Sequence, residues 1–335
     1  MTQTCQRIVL ASRPQGRVTP ENFRLERVPL PEPGAGQLRM RVHYLSLDPY
    51  MRGRMEETKS YAESQRLGET MIGGTVGVVD ASNHPDYAVG DTVVGLAGWQ
   101  EFGLSDGSML MKVDPRVVPM SAYLGPVGMP GVTAWYGLNR ICEPRPGQTV
   151  LVSAASGAVG SVVGQLARQA GCRAVGIAGG PEKCAYVVSE LGFDACIDHR
   201  AHGDVGSLVR ALREAAPAGV DALFENVGGA CLDAALACMN PFGRIALCGL
   251  IAGYNGEDIA LHNVRALLVS RLMVQGFIVS DHMDVWPAAL AELGRGVATG
   301  KIRYRETVAQ GLAAAPEAFI GLLAGRNFGK QLVKL

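Results

Sequence analysis

Four absences narrow what this chain can be. It has no excess charge: 31 Lys and Arg balance 31 Asp and Glu, and charged residues make up 19% of its 335 positions. Without a basic field there is nothing to hold a polyanion, so no nucleic-acid or membrane partner is expected. No apolar run approaches the ~18 residues of a membrane span. The apolar stretch at 8–11 is too short for a signal-peptide core, and a cytoplasmic protein is expected. There is no CxxC pair: the eight cysteines never lie closer than seven positions, against a structural zinc or a thioredoxin-type centre. There is no HExxH either, and His199 and His202 read as polar loop residues. No metal is expected.

Apolar residues, by contrast, make up 48% of the chain, and 43 residues are glycine. The glycines are spread through apolar segments, a sign of close backbone packing or ligand cradling. The length suits about two domains. Up to residue 125 the pattern is short strands and turns, with strands expected over 38–45, 73–79 and 91–95. From Pro126 strands alternate with helices. Strands are expected at 149–153, 173–178, 195–198, 221–225, 244–248 and 273–279, and helices at 161–169, 181–191, 204–215, 230–239 and 286–294. Beyond them, 301–308 and 330–335 read as strands and 316–323 as a helix. The expected architecture is α/β. A doubly wound parallel sheet domain, 126–298, is inserted in a β-rich domain made from both chain ends, 1–125 and 299–335.

The segment TVLVSAASGAVGSVVGQLARQAG, 149–171, runs strand, small-residue turn, helix, which is the context a dinucleotide fingerprint requires. Ala155 stands at the first fingerprint glycine. Gly157 would let a pyrophosphate approach the backbone, Gly160 would let the helix pack on the strand, and amides at the helix start would receive the negative charge. Enzymes that use NAD place an acid at the end of the second strand, ~20 residues on. Here that strand ends Gly176-Ile177-Ala178-Gly179-Gly180, with no acid, and Lys183 follows on the first helical turn. A cation pairs with a 2′-phosphate that a carboxylate would repel, so NADP(H) is the expected cofactor, with Glu182 as the opposing charge.

Several motifs together resemble the medium-chain dehydrogenase/reductases, in the zinc-independent, NADP-dependent branch of prostaglandin reductases, plant alkenal reductases and bacterial curcumin reductases. They are LASRPQG at 10–16, LSLDPYMRGRM at 45–55, GGTVGVV at 73–79, GMPGVTAWYGL at 128–138, AGGPEKC, FENVGG, CGLIAGYN, QGFIV and NFGK. The bacterial curcumin-reductase type is the nearest, from DPYMRGRM, the Asp198-His199 pair and GRNFGKQLVKL together. The resemblance implies a Rossmann domain within a GroES-like catalytic domain. It implies cofactor contacts from Gly157, Ala158, Val159, Gly160, Gly179, Lys183, His199 and Asn226. It adds Cys248, Gly249, Leu250, Ile251 and Tyr254 in CGLIAGYN, Phe277, Ile278 and Val279 in QGFIV, and Asn327 in NFGK. Met129 and Thr133 would border the nicotinamide. Mammalian relatives carry Tyr where His199 stands.

Zinc-dependent relatives place a Cys in the early catalytic loop and a His-Glu pair after it. This chain has LSLDPY at 45–50 and Gly73-Gly74-Thr75 there, and it lacks the four-cysteine lobe. Without a Lewis acid, a conjugated enone or enal is a better hydride acceptor than a simple ketone, because the charge spreads to oxygen as an enolate. That chemistry needs a hydrogen-bond donor at the oxygen and a proton source for the α-carbon. The resemblance points to tyrosines, and Tyr254 and Tyr50 fit by motif. Packing against Pro49 is the alternative for Tyr50, and a cofactor contact without proton transfer is the alternative for Tyr254. The expected function is NADPH-dependent reduction of an activated carbon–carbon double bond. Quinone reduction, or a nucleotide-binding sensor without catalysis, is the alternative. Residues 56–66 and 253–262 would form the substrate rim, and the edge strand near 272–279 would pair in a homodimer.

Overall fold

A computed structural model describes residues 3–335. Six parallel strands form one sheet, in the spatial order Ala195–Asp198, Arg173–Ala178, Thr149–Val152, Val220–Glu225, Met239–Leu247, Met273–Gly276. This is the doubly wound order, and the strand order switches direction between Thr149–Val152 and Val220–Glu225, which run parallel; ligands bind at that switch point in such sheets. Side chains alternate across it. Val150, Val152, Ala222 and Phe224 face a core shared with helices Met129–Tyr136, Gly160–Gln169 and Trp286–Ala298. Leu151, Leu223, Val175 and Ile177 face the opposite core, under helices Val205–Ala215 and Gly229–Leu236. Cover on both faces is why these strands read as continuous apolar runs.

The two chain ends build the second, seven-stranded sheet. Leu38–Ser46 pairs antiparallel with Thr75–Ser82, with Phe102–Ser105 and with the last strand, Lys330–Lys334, which in turn pairs parallel with Glu306–Gln310. Thr4–Leu10 and Phe23–Pro29 form a separate ribbon. The α/β architecture with an inserted Rossmann sheet is therefore as the sequence implies. Among the described residues no helix is long and apolar enough to cross a membrane.

Local expectations fail in three places. The strand expected over 301–308 is strand only at Glu306–Gln310. The Gln165 side chain takes the place of a neighbouring strand at Arg303, donating from Nε2 to its carbonyl at 2.8 Å and accepting its N–H at 2.8 Å. The strand expected over 273–279 stops at Gly276, because the Phe277 ring turns inward onto Tyr136 and Phe224, at 5.5 and 6.2 Å between centroids. Helix Met129–Tyr136 and its π-helical continuation Gly137–Cys142 carry no polar face, being buried at most positions, so periodicity gives no sign of them.

Candidate active site

The strand Thr149–Val152 delivers the glycine turn to the carboxyl edge of the sheet. Ala154 takes a left-handed φ of 49°, which swings its carbonyl beneath the turn. A Cβ at Gly160 would meet that oxygen at 2.4 Å, and one at Gly157 would meet it at 3.1 Å. Both glycines are therefore demanded by backbone approach. Ala155 replaces the usual glycine because Gly176, opposite, leaves it room; a Cβ on Gly176 would sit 2.8 Å from the Ala155 methyl. Among the described residues, the amides of Ala158, Val159 and Gly160 find no acceptor in the protein. Three free N–H groups at the start of the ten-residue helix Gly160–Gln169 suit a diphosphate.

Beside the turn, Ser153 and Glu225 close the ends of the two strands that flank the switch point. Glu225 is fully buried. Its Oε1 accepts from Ser153 Oγ at 3.0 Å and from the amides of Val227 and Gly228 at 2.6 and 2.7 Å, while Oε2 has no partner. Burial outweighs these donors and raises its pKa to about 7. Asn226 is held by the same group, donating its N–H to Ser153 Oγ and Nδ2 to Ser153 O, at 2.7 and 2.8 Å. The Glu225 carbonyl receives the amides of Cys248 and Gly249, which brings CGLIAGYN alongside FENVGG. Burial pushes the Cys248 thiol up to about 12, so it stays neutral.

At the end of the second strand, the open position at Gly179 is walled by the basic side chains of Arg200 and His199. A Cβ there would lie 2.9 Å from Arg200 Nε and 3.1 Å from His199 Nε2. The Asp198 carboxylate accepts the amides of Gly180 and Arg200, at 2.7 and 3.0 Å. Lys183 reaches the same corner, donating to the Gly325 carbonyl at 2.8 Å. Burial, then the Arg200 charge, lowers the Lys183 pKa, and the same causes lower that of His199. Cations crowded until each disfavours the other's charge are what an incoming phosphate would relieve. Arg200 makes no ion pair among the described residues. Sequence reasoning missed it, although it adjoins His199.

The tyrosines come from opposite sides of the cleft. Tyr50 opens the short helix Tyr50–Arg54, and Tyr254 follows the turn Ile251–Gly253, with its hydroxyl 3.5 Å from where a Gly249 Cβ would stand. Burial raises both phenols. Asp48 adds to the effect at Tyr50, and the Leu250 amide partly offsets it at Tyr254. Both stay protonated at neutral pH and are donors. Tyr61, 60% exposed, adds a repulsive contribution to each. It falls in the expected rim, but no motif singled it out. The remaining expected residues are more equivocal in their side chains. Thr133 spends its hydroxyl on the Met129 carbonyl at 2.7 Å, and Asn327 Nδ2 donates to Gly329 O at 2.7 Å. The Phe277 ring and Val279 are packed in the core, while Met129 lies at its edge.

Known proteins carry the same plan. Residues 6–113 match the family model of the N-terminal domain of oxidoreductases, and residues 158–295 match that of zinc-binding dehydrogenases. The NADPH-dependent curcumin reductase of Escherichia coli (strain K12) is 46% identical over 340 residues, covering 99% of this chain and 97% of its own. The NADP⁺-dependent 2-alkenal reductase of Nicotiana tabacum is 43% identical over 303 residues, covering 90% and 88%. The crystal structure of CurA from Vibrio vulnificus in complex with NADPH superposes with a TM-score of 0.92 at 46% identity, covering 98% of each chain. With nine-tenths or more of its length shared at such identities, this chain belongs to the medium-chain dehydrogenase/reductase family, in its zinc-independent branch.

Proposed function

We propose that this protein is an NADPH-dependent reductase of the carbon–carbon double bond of α,β-unsaturated ketones and aldehydes. The observation that carries the reading is the combination of two half-buried, protonated phenols with a turn of free amides and a basic corner. Ala158, Val159 and Gly160 hold the diphosphate, and Lys183, His199 and Arg200 hold the 2′-phosphate. Bound there, NADPH supplies a hydride to the β-carbon of the substrate. Tyr254 and Tyr50 then act on what remains. Their hydroxyls donate to the carbonyl oxygen as it becomes an enolate, and one of them passes a proton toward the α-carbon. A phenol held above its ordinary pKa by burial is a weak acid but a fixed donor, and fixed donors favour charge that develops late.

The names of the E. coli and N. tabacum relatives support this substrate class. Steady-state NADPH oxidation with an alkenal, an enone and a quinone tests it. The enone or alkenal is expected to give the highest kcat/KM. A preferred quinone would make this a quinone reductase, and no oxidation with any of the three would leave a nucleotide-binding protein without catalysis.

The reading extends to the organisation of the chain, with segments 1–125 and 299–335 carrying the substrate side and 126–298 the cofactor side. It also includes a homodimer in the cytoplasm. The edge strand Met273–Gly276 is exposed along its whole length, and the preceding helix Arg265–Val269 presents Leu268 at 79% exposure. A second copy of this chain covering that apolar edge would remove the liability it poses to a monomer.

A further inference from the structure

The last strand begins with a lysine that is buried and fully occupied. Lys330 is 3% exposed, and its Nζ donates to the Leu47 carbonyl at 2.7 Å, to Asp48 Oδ1 at 3.0 Å and to the Gln331 carbonyl at 3.1 Å. The other oxygen of Asp48 accepts from Ser46 Oγ. An ammonium has three protons, and all three are used. The partners fall where the sheet lets go of the chain. The ladder between Lys330–Lys334 and Leu38–Ser46 has its last pair at Leu332 and Ser46. The next residues, Leu47 to Pro49, leave the sheet, and the Asp48 carbonyl accepts the Met51 amide at 3.1 Å in the first turn of the Tyr50 helix. Together with the Leu47 amide, which donates to the Gln331 carbonyl at 3.2 Å, the Lys330 side chain holds this departing segment to the sheet.

The same stretch of chain touches the cofactor turn. Gly329, beside Lys330, forms a parallel bridge with Gly157, and four residues further back the Gly325 carbonyl accepts from Lys183. Gly329 is left-handed, at φ 71°, and a Cβ there would lie 1.9 Å from the Arg305 carbonyl, so its path is rigidly set. Residues 325–330 therefore span from the phosphate corner, past the glycine turn, to the loop that carries Tyr50.

We infer that Lys330, through its bonds to Leu47 and Asp48, is a positioning residue for Tyr50 and fixes that phenol relative to the cofactor turn. A buried ion pair contributes little net stability over apolar residues of equal volume, because desolvation offsets its attraction. What it supplies here is direction: two bonds, to the Leu47 carbonyl and to Asp48 Oδ1, orient this segment as an apolar contact could not, while the third fixes the ammonium on its own strand at Gln331. Lys330 also neutralises Asp48, whose charge otherwise bears on the neighbouring phenol.

The inference rests on Tyr50 acting in the reaction, and a mutant cycle separates the two. Lys330→Met, and the paired change Lys330→Met/Asp48→Asn that leaves no unpaired charge, are made in the natural chain and in Tyr50→Phe. Melting temperature, KM for NADPH and kcat with an enone are measured. A displaced catalytic group commonly costs ~10–100-fold, so the paired change should lower kcat about tenfold in the natural chain with KM for NADPH within about twofold. In Tyr50→Phe the same change should cost less than about twofold, since residues acting through one another are not additive. Equal losses in both backgrounds, no loss in the folded paired variant, or failure of that variant to fold would each make Lys330 a scaffold residue and overturn the inference, with Tyr50 untouched. An unchanged kcat in Tyr50→Phe alone would remove Tyr50 from the reaction, and the positioning role with it.

Discussion

The proposed cofactor side and the proposed substrate side are built by opposite means. The cofactor side is mostly backbone: the turn from Ser153 to Gly160 exposes amides because it has almost no side chains, and Gly157 and Gly160 are held by the approach of a single carbonyl. The proposed substrate side is mostly side chain, with Tyr50 and Tyr254 brought from segments far apart in the chain and buried polar groups, Asp48 and Lys330, beside Tyr50. A site made of backbone is damaged by adding atoms, whereas a site made of side chains is damaged by removing them. The lysine, histidine and arginine around Gly179 lie between these limits, since they surround a position that must stay empty.

The largest effect should come from adding one methyl to the backbone side. Gly160→Ala places a carbon 2.4 Å from the Ala154 carbonyl, well inside contact distance, and the helix start has to move. We expect about 1–3 kcal/mol of destabilisation and, with the three amides displaced, a loss of NADPH affinity of about 100-fold. Thermal melts and a fluorescence titration of NADPH check this. Unchanged binding would mean that the helix amides do not hold the diphosphate.

Removing one oxygen from the substrate side comes next. Tyr254→Phe keeps the ring and should lower kcat ~100-fold, or roughly 3 kcal/mol, with little change in NADPH affinity. Tyr50→Phe should lose less. Full turnover in Tyr254→Phe, under conditions where chemistry limits the rate, would reduce Tyr254 to a wall of the cofactor site.

The cationic corner should respond with selectivity and not with rate. Lys183→Ala and Arg200→Ala should each raise KM for NADPH about tenfold, as expected for one charge-assisted hydrogen bond, while KM for NADH barely moves. Equal shifts for the two cofactors would show that neither residue reads the 2′-phosphate.

The smallest effect concerns Glu225, which joins the two sides from below. Its folded pKa is raised to about 7 from 4.5, so the folded state holds this proton more tightly than the unfolded state. Its contribution to stability therefore falls as pH rises from about 4.5 to about 7. Glu225→Gln should flatten that part of the pH–stability curve, as measured by urea melts at about pH 5 and pH 8. An unaltered slope would mean that Glu225 is ionised throughout.

Much of the fold was legible because parallel strands and their helices are local patterns. The runs at 173–178 and 195–198 became strands with those same bounds; for 173–178 burial on both faces writes a short apolar word that Gly179 ends. Helix Met129–Tyr136 was not legible, because a helix buried on all sides has no face to show.

For function the division follows the same physics. The sequence by itself determined the strand–turn–helix at 149–169, the empty acid position at Gly179 and the cation at Lys183, because each depends on residues a few positions apart. Only the tertiary structure decided that Arg200 stands against Gly179, that Gln165 replaces a strand at Arg303, and that Lys330 holds a loop 282 positions away at Asp48. Those contacts join side chains whose separation along the chain carries no information about their separation in space. They exist only once two sheets, each with its own core, have been packed edge to turn.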